Sequence, residues 1–238
     1  MEIRYYGHAT CEVMTGDHHI WIDPFLSDNP LLQDQSLQPF DLDALKVDAV
    51  ILTHAHSDHT GDALTLARTH DAPIIATFEL AQYFAQQGAK AHPMNLGGSY
   101  VFPFGKVRLV PAFHSSSLAS QHGDPVYLGM PAGVVLTTET GTLYHAGDTA
   151  LFTDMKLIGE LYQPDVALLP IGDNFTMGPE EALIAATWVQ APYVIPIHYN
   201  TFPVIKQDVT LFTEQLKEQG ITGVPLKVGE SFHLPVRA

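Results

Sequence analysis

The chain has 238 residues, with 11 Lys+Arg against 26 Asp+Glu and a formal net charge of −15. So acidic a chain is poorly suited to binding nucleic acid or anionic lipid, whose phosphates need a basic track. Its single cysteine, Cys11, excludes an intrachain disulfide and any zinc site needing two or more thiolates, yet its 13 histidines outnumber Lys and Arg together.

With 46% hydrophobic and 16% charged residues, the chain can bury a sizeable core and is no candidate for disorder. Its length suits one domain over residues 1–238. The start, MEIRYYGHATCEV, has no basic segment leading into an apolar one, so no export signal is expected. No apolar run approaches the roughly 18 residues of a membrane helix. A cytoplasmic protein with no membrane and no nucleic-acid partner is the expectation.

Short β-branched runs predict strands over Glu2–Tyr6, Cys11–Thr15, His19–Ile22, Ala49–Thr53, Pro73–Ala76, Val107–Pro111, Gly133–Thr138, Thr142–His145, Val166–Leu169, Tyr193–Ile197 and Ser231–Leu234. Amphipathic stretches predict helices over Gly61–His70, Phe78–Gln87, Leu151–Leu161, Pro179–Gln190 and Val209–Gln219. Pro179 suits a first helical position, and Glu180 and Glu181 suit the positive end of the helix dipole. Gly88 and Gly220 stand where helices are capped. Gly16-Asp17 marks a hairpin among the first strands, and later strands alternate with helices. The class is mixed α/β (α+β). Two long loops, Ser27–Leu45 and Ser115–Pro131, are candidates for lining a site.

The strongest local signal is Thr53-His54-Ala55-His56-Ser57-Asp58-His59-Thr60-Gly61-Asp62, set between an apolar strand and a helix. His54 and His56 are two apart, so in extended chain they point the same way. Asp58 and His59 come about one turn later and can face a second metal. Imidazole with carboxylate suits zinc, manganese, iron or nickel. Three further ligand types end apolar strands: His114, Asp148 and His198. Open α/β sheets build their sites at such strand ends. His8, at a Gly-His turn after the first strand, is a candidate for contacting a ligand residue or substrate. His18, His19, His70, His92, His122 and His233 read as loop or strand-end residues. Alternation turns His145 away from the Asp148 face, and Cys11 reads as a buried apolar side chain.

On these residues the sequence resembles the metallo-β-lactamase superfamily, whose His-x-His-x-Asp-His is followed by a distant His, an Asp and a final His. More narrowly, Tyr6-Gly7-His8, Pro111-Ala112-Phe113-His114-Ser115-Ser116, His145-Ala146-Gly147-Asp148-Thr149, the run Leu169–Ala182 and Ile197-His198-Tyr199-Asn200-Thr201-Phe202-Pro203 look like one branch. It is the metal-dependent hydrolase group similar to the ascorbate-6-phosphate lactonases. The resemblance implies a four-layer αββα sandwich. It also implies two divalent ions, zinc first and manganese, iron or nickel after it. His54, His56 and His114 would hold one, Asp58, His59 and His198 the other, and Asp148 would bridge.

Asp23 matches the superfamily's early aspartate, which orients the ligand loop. Asp58 doubles as a candidate proton acceptor, and His198 stands beside it in the catalytic set. Asn174 and Tyr199 are candidate hydrogen-bond donors to a substrate oxyanion. Lys156 and Lys206 are candidates for holding a substrate phosphate. The implied activity is hydrolysis of an ester, lactone or related bond in a small anionic molecule, with a homo-oligomer suggested by the lactonase-like relatives. Phosphodiester or RNA hydrolysis is the alternative, against which the charge argues. Iron redox chemistry is less favoured, because the di-iron oxygen-reducing relatives carry Glu where His56 stands.

Overall fold

Successive strand residues point to opposite faces. Ile20 and Ile22 enter one core while Trp21 enters another, and Ala49 and Ile51 separate in the same way from Val50 and Leu52. Val166 and Leu168 share the first core, whereas Ala167 and Leu169 enter a third. Strands apolar on both sides demand cover on both sides. The computed structural model, which describes residues 1–33, 41–120 and 123–235, supplies it.

In chain order, the first part provides β1 (Glu2–Tyr5), β2 (Cys11–Thr15), β3 (His18–Ile22), β4 (Ala49–Ile51), α1 (Ser57–Thr60), α2 (Ala63–Thr69), β5 (Ile74–Thr77), α3 (Phe78–Gln86) and β6 (Ala91–Met94). The remainder provides β7 (Ser99–Phe102), β8 (Gly105–Pro111), β9 (Ser117–Ala119), β10 (Pro125–Tyr127), β11 (Ala132–Thr138), β12 (Gly141–His145), α4 (Met155–Tyr162), β13 (Val166–Pro170), α5 (Pro179–Val189), β14 (Tyr193–Ile197), α6 (Val209–Glu218), β15 (Thr222–Gly223) and β16 (Ser231–His233). One seven-stranded sheet runs β16-β1-β2-β3-β4-β5-β6, and the other runs β15-β14-β13-β12-β11-β8-β7.

The sheets pack through Ile3, Val13, Ile20, Ile51 and Ile75 on one side and Leu109, Val134, Leu143, Leu168 and Ile195 on the other, and Cys11 lies in this core. Leu66, Leu80 and Phe84 lay α2 and α3 on the outer face of the first sheet. Met155, Ile158, Ala185, Val189, Phe212 and Leu216 lay α4, α5 and α6 on the outer face of the second. The layers are therefore αββα, as expected.

Strand direction locates the site. β1, β3, β4, β5 and β6 run the same way, since β2 is antiparallel to both β1 and β3 and the rest are parallel. In the second sheet β8, β12, β13, β14 and β15 run alike for the same reason. The segments holding His8, Asp23 and His54 leave the carboxyl ends of the first set, and those holding His114, Asp148 and His198 leave the second.

Several boundaries differ from expectation. The helix expected over Gly61–His70 is α2, over Ala63–Thr69, and a separate single turn, α1, precedes it and ends at Gly61. A Cβ there would lie 2.9 Å from the Pro24 carbonyl oxygen, so the backbones pass too closely for a side chain. The helix expected from Leu151 begins at Met155. The expected loop Ser115–Pro131 folds into the β9–β10 hairpin, with residues 121 and 122 outside the description. The expected loop Ser27–Leu45 holds short 3-10 turns at Pro30–Leu32 and Leu42–Ala44, and residues 34–40 lie outside the description. β6 and β7 were not anticipated. Both are edge strands, and β6 contains Pro93, which an edge tolerates. Gly178 caps α5, followed by Pro179 and the two glutamates. Among the described residues no helix is long and apolar enough to cross a membrane.

Leu168 is fully buried between the sheets. Leu168→Ala is expected to cost about 2–5 kcal/mol in urea unfolding; a loss below about 1 kcal/mol would mean that the sheets do not pack there as described.

Candidate metal centre

After β4 the chain reaches the sheet edge through Thr53 and His54, and His56 caps α1, whose single turn carries Asp58 and His59. His114 follows β8, Asp148 follows β12 and His198 follows β14. These elements bring two groups together. His54, His56, His114 and Asp148 form one, and His8, Asp58, His59 and His198 form the other. Within each, the candidate ligand atoms lie within 4.8 Å of one another. All seven residues expected as ligands fall in these groups, with His8 added.

Asp148 Oδ2 is where the groups meet. The Nε2 atoms of His198, His59, His114 and His54 lie 3.0, 3.3, 3.5 and 3.8 Å from it. Four imidazoles exceed what one carboxylate oxygen can accept as hydrogen bonds. Among the described residues, His59 Nε2 and Asp148 Oδ1 are buried without a hydrogen-bond partner. Neighbouring ligands at about 2.1 Å from one tetrahedral ion would stand about 3.4 Å apart. The spacing is that of donors sharing ions, so the residues fit a metal.

The surrounding bonds set which nitrogen is bare. Asp23, fully buried, accepts from Thr53 N at 2.8 Å, Thr53 Oγ1 at 2.6 Å and His59 Nδ1 at 2.7 Å. Because Thr53 gives its proton to Asp23, its oxygen accepts from His54 Nδ1 at 3.0 Å, which leaves His54 Nε2 unprotonated. His56 turns Nδ1 inward, 3.0 Å from His54 Nε2, and its Nε2 reaches Ser115 Oγ at 3.2 Å. Outside the cluster, Asp62 accepts from Leu26 N, Ser27 N and Ser27 Oγ, tying the loop after Asp23 to the start of α2.

Backbone strain gathers here. His8, Asp23 and His198 take φ of +56, +48 and +53. Such conformations cost on the order of 1–3 kcal/mol each and persist only when surroundings enforce them. Gly172 shows how tightly His198 is enclosed, since a Cβ on it would lie 2.1 Å from the His198 carbonyl oxygen.

Burial pushes the imidazoles of His54, His56 and His114 down, which keeps them neutral and ready to donate a lone pair. It holds His8 at about 4. Burial also pulls His59 down, but Asp148 and Asp23 on its two sides outweigh this and leave it well above its ordinary value. Burial raises the carboxyls of Asp58 and Asp148. It is overcome at Asp58 by the His8 hydrogen bond and the nearby His59, and at Asp148 by His198 and His59. Both stay ionised, below the usual range.

Four further expected residues are not of metal-ligand type, and their surroundings are as follows. Lys156 is exposed on α4, its ammonium 4.6 Å from the Trp188 ring centroid. Lys206 is exposed beside Gln207 and Asp208. Asn174 is exposed on the turn after β13. Tyr199 is buried in the helix-side core of the second sheet, and that burial raises its phenol. The seven histidines expected to be incidental lie outside both groups where described, with His122 outside the description. His145 nevertheless has a task. Its Nε2 bonds the Ala9 carbonyl and its Nδ1 accepts from Gly147 N, fixing the turn that delivers Asp148. Sequence reasoning gave no role to Thr53, Thr201 or Ser115. All three stand inside or beside the quoted motifs, and a hydroxyl next to a histidine was the available signal.

Such a cluster, on the shared edge of two sheets in four layers, defines a metal-dependent hydrolase of the metallo-β-lactamase type. The family described as "Beta-lactamase superfamily domain" matches residues 18–199. A UPF0173 metal-dependent hydrolase of Bacillus cereus is 53% identical over 235 residues, 98% of this chain and 100% of the relative. The structure of Igni18, a metallo hydrolase from Ignicoccus hospitalis, is 36% identical with a TM-score of 0.87, covering 98% of this chain and 99% of that one. An isothiocyanate hydrolase from Delia radicum gut bacteria covers 100% of both chains at 22% identity and TM-score 0.75, a likeness of fold. The chain belongs to the UPF0173 metal-dependent hydrolases of the β-lactamase superfamily.

Two measurements follow from this geometry. His59, set well above its ordinary value by Asp148 and Asp23, must lose a proton before its Nε2 can take a metal. Zinc titration of the metal-free protein at pH 7 is expected to release protons, with a heat that varies with buffer ionisation enthalpy and an affinity that rises with pH; a buffer-independent heat would contradict the protonated His59. Asp23→Ala strips buried donors of their acceptor and is expected to cost about 1–3 kcal/mol in urea unfolding of the metal-free protein.

Proposed function

We propose that the chain, acting as one domain over residues 1–238, hydrolyses an ester, lactone or related bond in a small molecule at a two-metal centre. In this reading His54, His56 and His114 hold one ion, Asp58, His59 and His198 hold the other, and Asp148 bridges. Zinc suits this set of nitrogen and oxygen ligands, with manganese, iron or nickel as alternatives. The observation that carries the reading is Asp148 Oδ2, which has His114 and His54 of one group at 3.5 and 3.8 Å and His198 and His59 of the other at 3.0 and 3.3 Å.

When bound, two divalent ions supply the Lewis acidity that lowers the pKa of water towards neutrality and polarises the bond to be cleaved. Asp58, held as a carboxylate, takes the proton of the attacking water. Asn174 offers an amide to the developing oxyanion, and Tyr199 is the second candidate donor. Two dications against the carboxylates of Asp58 and Asp148 leave the centre positive, which suits an anionic substrate group or a carboxylate product. Phe113, 59% exposed and 5.1 Å from Phe152, directly precedes His114 and gives the uncharged part of a substrate an apolar wall.

Several basic side chains have partners of their own. Arg4 pairs with Glu2 and Glu12, Lys90 pairs with Asp71, and Lys156 covers Trp188. With the −15 charge, this supports a small substrate over nucleic acid, with Lys156 and Lys206 as the candidates for a substrate phosphate.

Elemental analysis beside a hydrolysis screen of lactones, esters, thioesters and phosphodiesters tests the reading. Wild type should hold two metal equivalents, split a carboxylic ester or lactone, and be inhibited by simple oxyanions. His56→Ala and Asp148→Ala should each lose metal and hydrolysis. Full metal content in both variants would overturn the ligand assignment, and cleavage of phosphodiesters alone would overturn the substrate class.

A further inference from the structure

The Gly7-His8 turn leaves β1, far in sequence from every expected ligand, and ends inside the second group. Its imidazole is fully buried. One nitrogen, Nε2, lies 3.0 Å from Asp58 Oδ2, and the other, Nδ1, lies 2.9 Å from Thr201 Oγ1. The His8 carbonyl accepts from His198 N at 2.7 Å and from Tyr5 Oη at 3.2 Å. Its ring lies 4.1 Å from that of His198 and 5.3 Å from that of His59, centroid to centroid. One residue therefore touches all three of the side chains assigned to the second ion.

Two facts separate His8 from those three. Asp148 Oδ2 gathers the nitrogens of His54, His59, His114 and His198, and His8 is not among them. Its own bonding also has a consistent direction. Asp58 is a carboxylate and can only accept, so His8 Nε2 carries the proton. In a neutral ring Nδ1 is then the acceptor, and the Thr201 hydroxyl donates to it. An Nε2 that donates to Asp58 has no lone pair left for a metal.

We propose that His8 is a positioning residue for the second metal. Its Nε2–H fixes one oxygen of Asp58 and leaves the other to coordinate, its carbonyl fixes the backbone of His198, and Thr201 sets its tautomer. This rests on the two-metal reading above and adds to it that His8 bears on all three side chains assigned to the second ion and on none of His54, His56 and His114. The φ of +56 at His8 fits this role, since a strained turn is what brings the side chain and carbonyl to bear on different ligands at once.

The test compares zinc stoichiometry and affinity, measured by competition with a chromophoric chelator, for wild type, His8→Asn, His8→Gln and Thr201→Val. Absorption spectra of the cobalt-loaded proteins are read in parallel. Asparagine tolerates the left-handed backbone and keeps the turn, but is too short to reach Asp58. Glutamine places an amide N–H near the position of Nε2. Wild type should take two equivalents. His8→Asn should keep the first at wild-type affinity and bind the second about 10–100-fold more weakly, with a changed cobalt spectrum. His8→Gln should recover most of that loss, and Thr201→Val should fall between. Unchanged binding of both equivalents by His8→Asn would overturn the proposal, as would a His8→Gln no better than His8→Asn. A wild type that takes one equivalent would instead overturn the two-metal reading, and this proposal with it.

Discussion

Four imidazole nitrogens stand within 3.8 Å of a single oxygen of Asp148. In a protein interior that arrangement has no lasting solution through hydrogen bonds alone, because buried polar atoms left unpaired are expensive. The surrounding structure is organised around holding it. Asp23 anchors His59 and the Thr53 peptide together, Asp62 ties down the loop behind Asp23, and His145 sets the turn before Asp148. Three residues in left-handed backbone supply the sharp changes of direction. Metal ligation is the interaction that can offset this combined cost, since each ion satisfies several lone pairs at once.

The same economy bears on charge. Lone pairs must be free and carboxylates must be ionised for the centre to hold cations. Burial secures the first at His54, His56 and His114, and neighbouring imidazoles secure the second at Asp58 and Asp148. His59 is the exception, held protonated between two carboxylates. A chain of strongly negative charge can thus concentrate positive charge at one edge, where an anionic group would be drawn.

Much of this was legible in the residues. Strand ends could be read because β-branched runs alternate, and ligand types at those ends stood out against apolar neighbours: His54, His114, Asp148 and His198 all follow such runs. The layers were expected from the family resemblance alone, although both parities of Val50-Ile51-Leu52 and Val166–Leu169 are apolar and fit strands covered on both faces. Edges were less readable. β6 carries a proline and β7 is largely exposed, so neither shows a buried-strand pattern. The break at Gly61 arises from a close approach to Pro24, which no local pattern encodes. Sequence did not show that the helix of Lys156 turns its ammonium onto Trp188. His145 lies outside both ligand groups, yet its bond to Gly147 is a relation between backbone and ring that composition does not reveal.

β16 pairs with β1 on the edge of the first sheet, in register from Glu2 opposite His233 to Arg4 opposite Ser231. An early strand therefore waits, one edge open, for a partner made more than two hundred residues later. The same strand leads into the turn that holds His8, whose carbonyl is met by His198, another late residue. During synthesis the His54–His59 loop emerges long before either partner exists. An ion captured then would meet only part of the cluster that the finished fold brings together. Until β16 is made, the β1 edge stays open to pairing with another chain, with Ile3 and Tyr5 not yet covered.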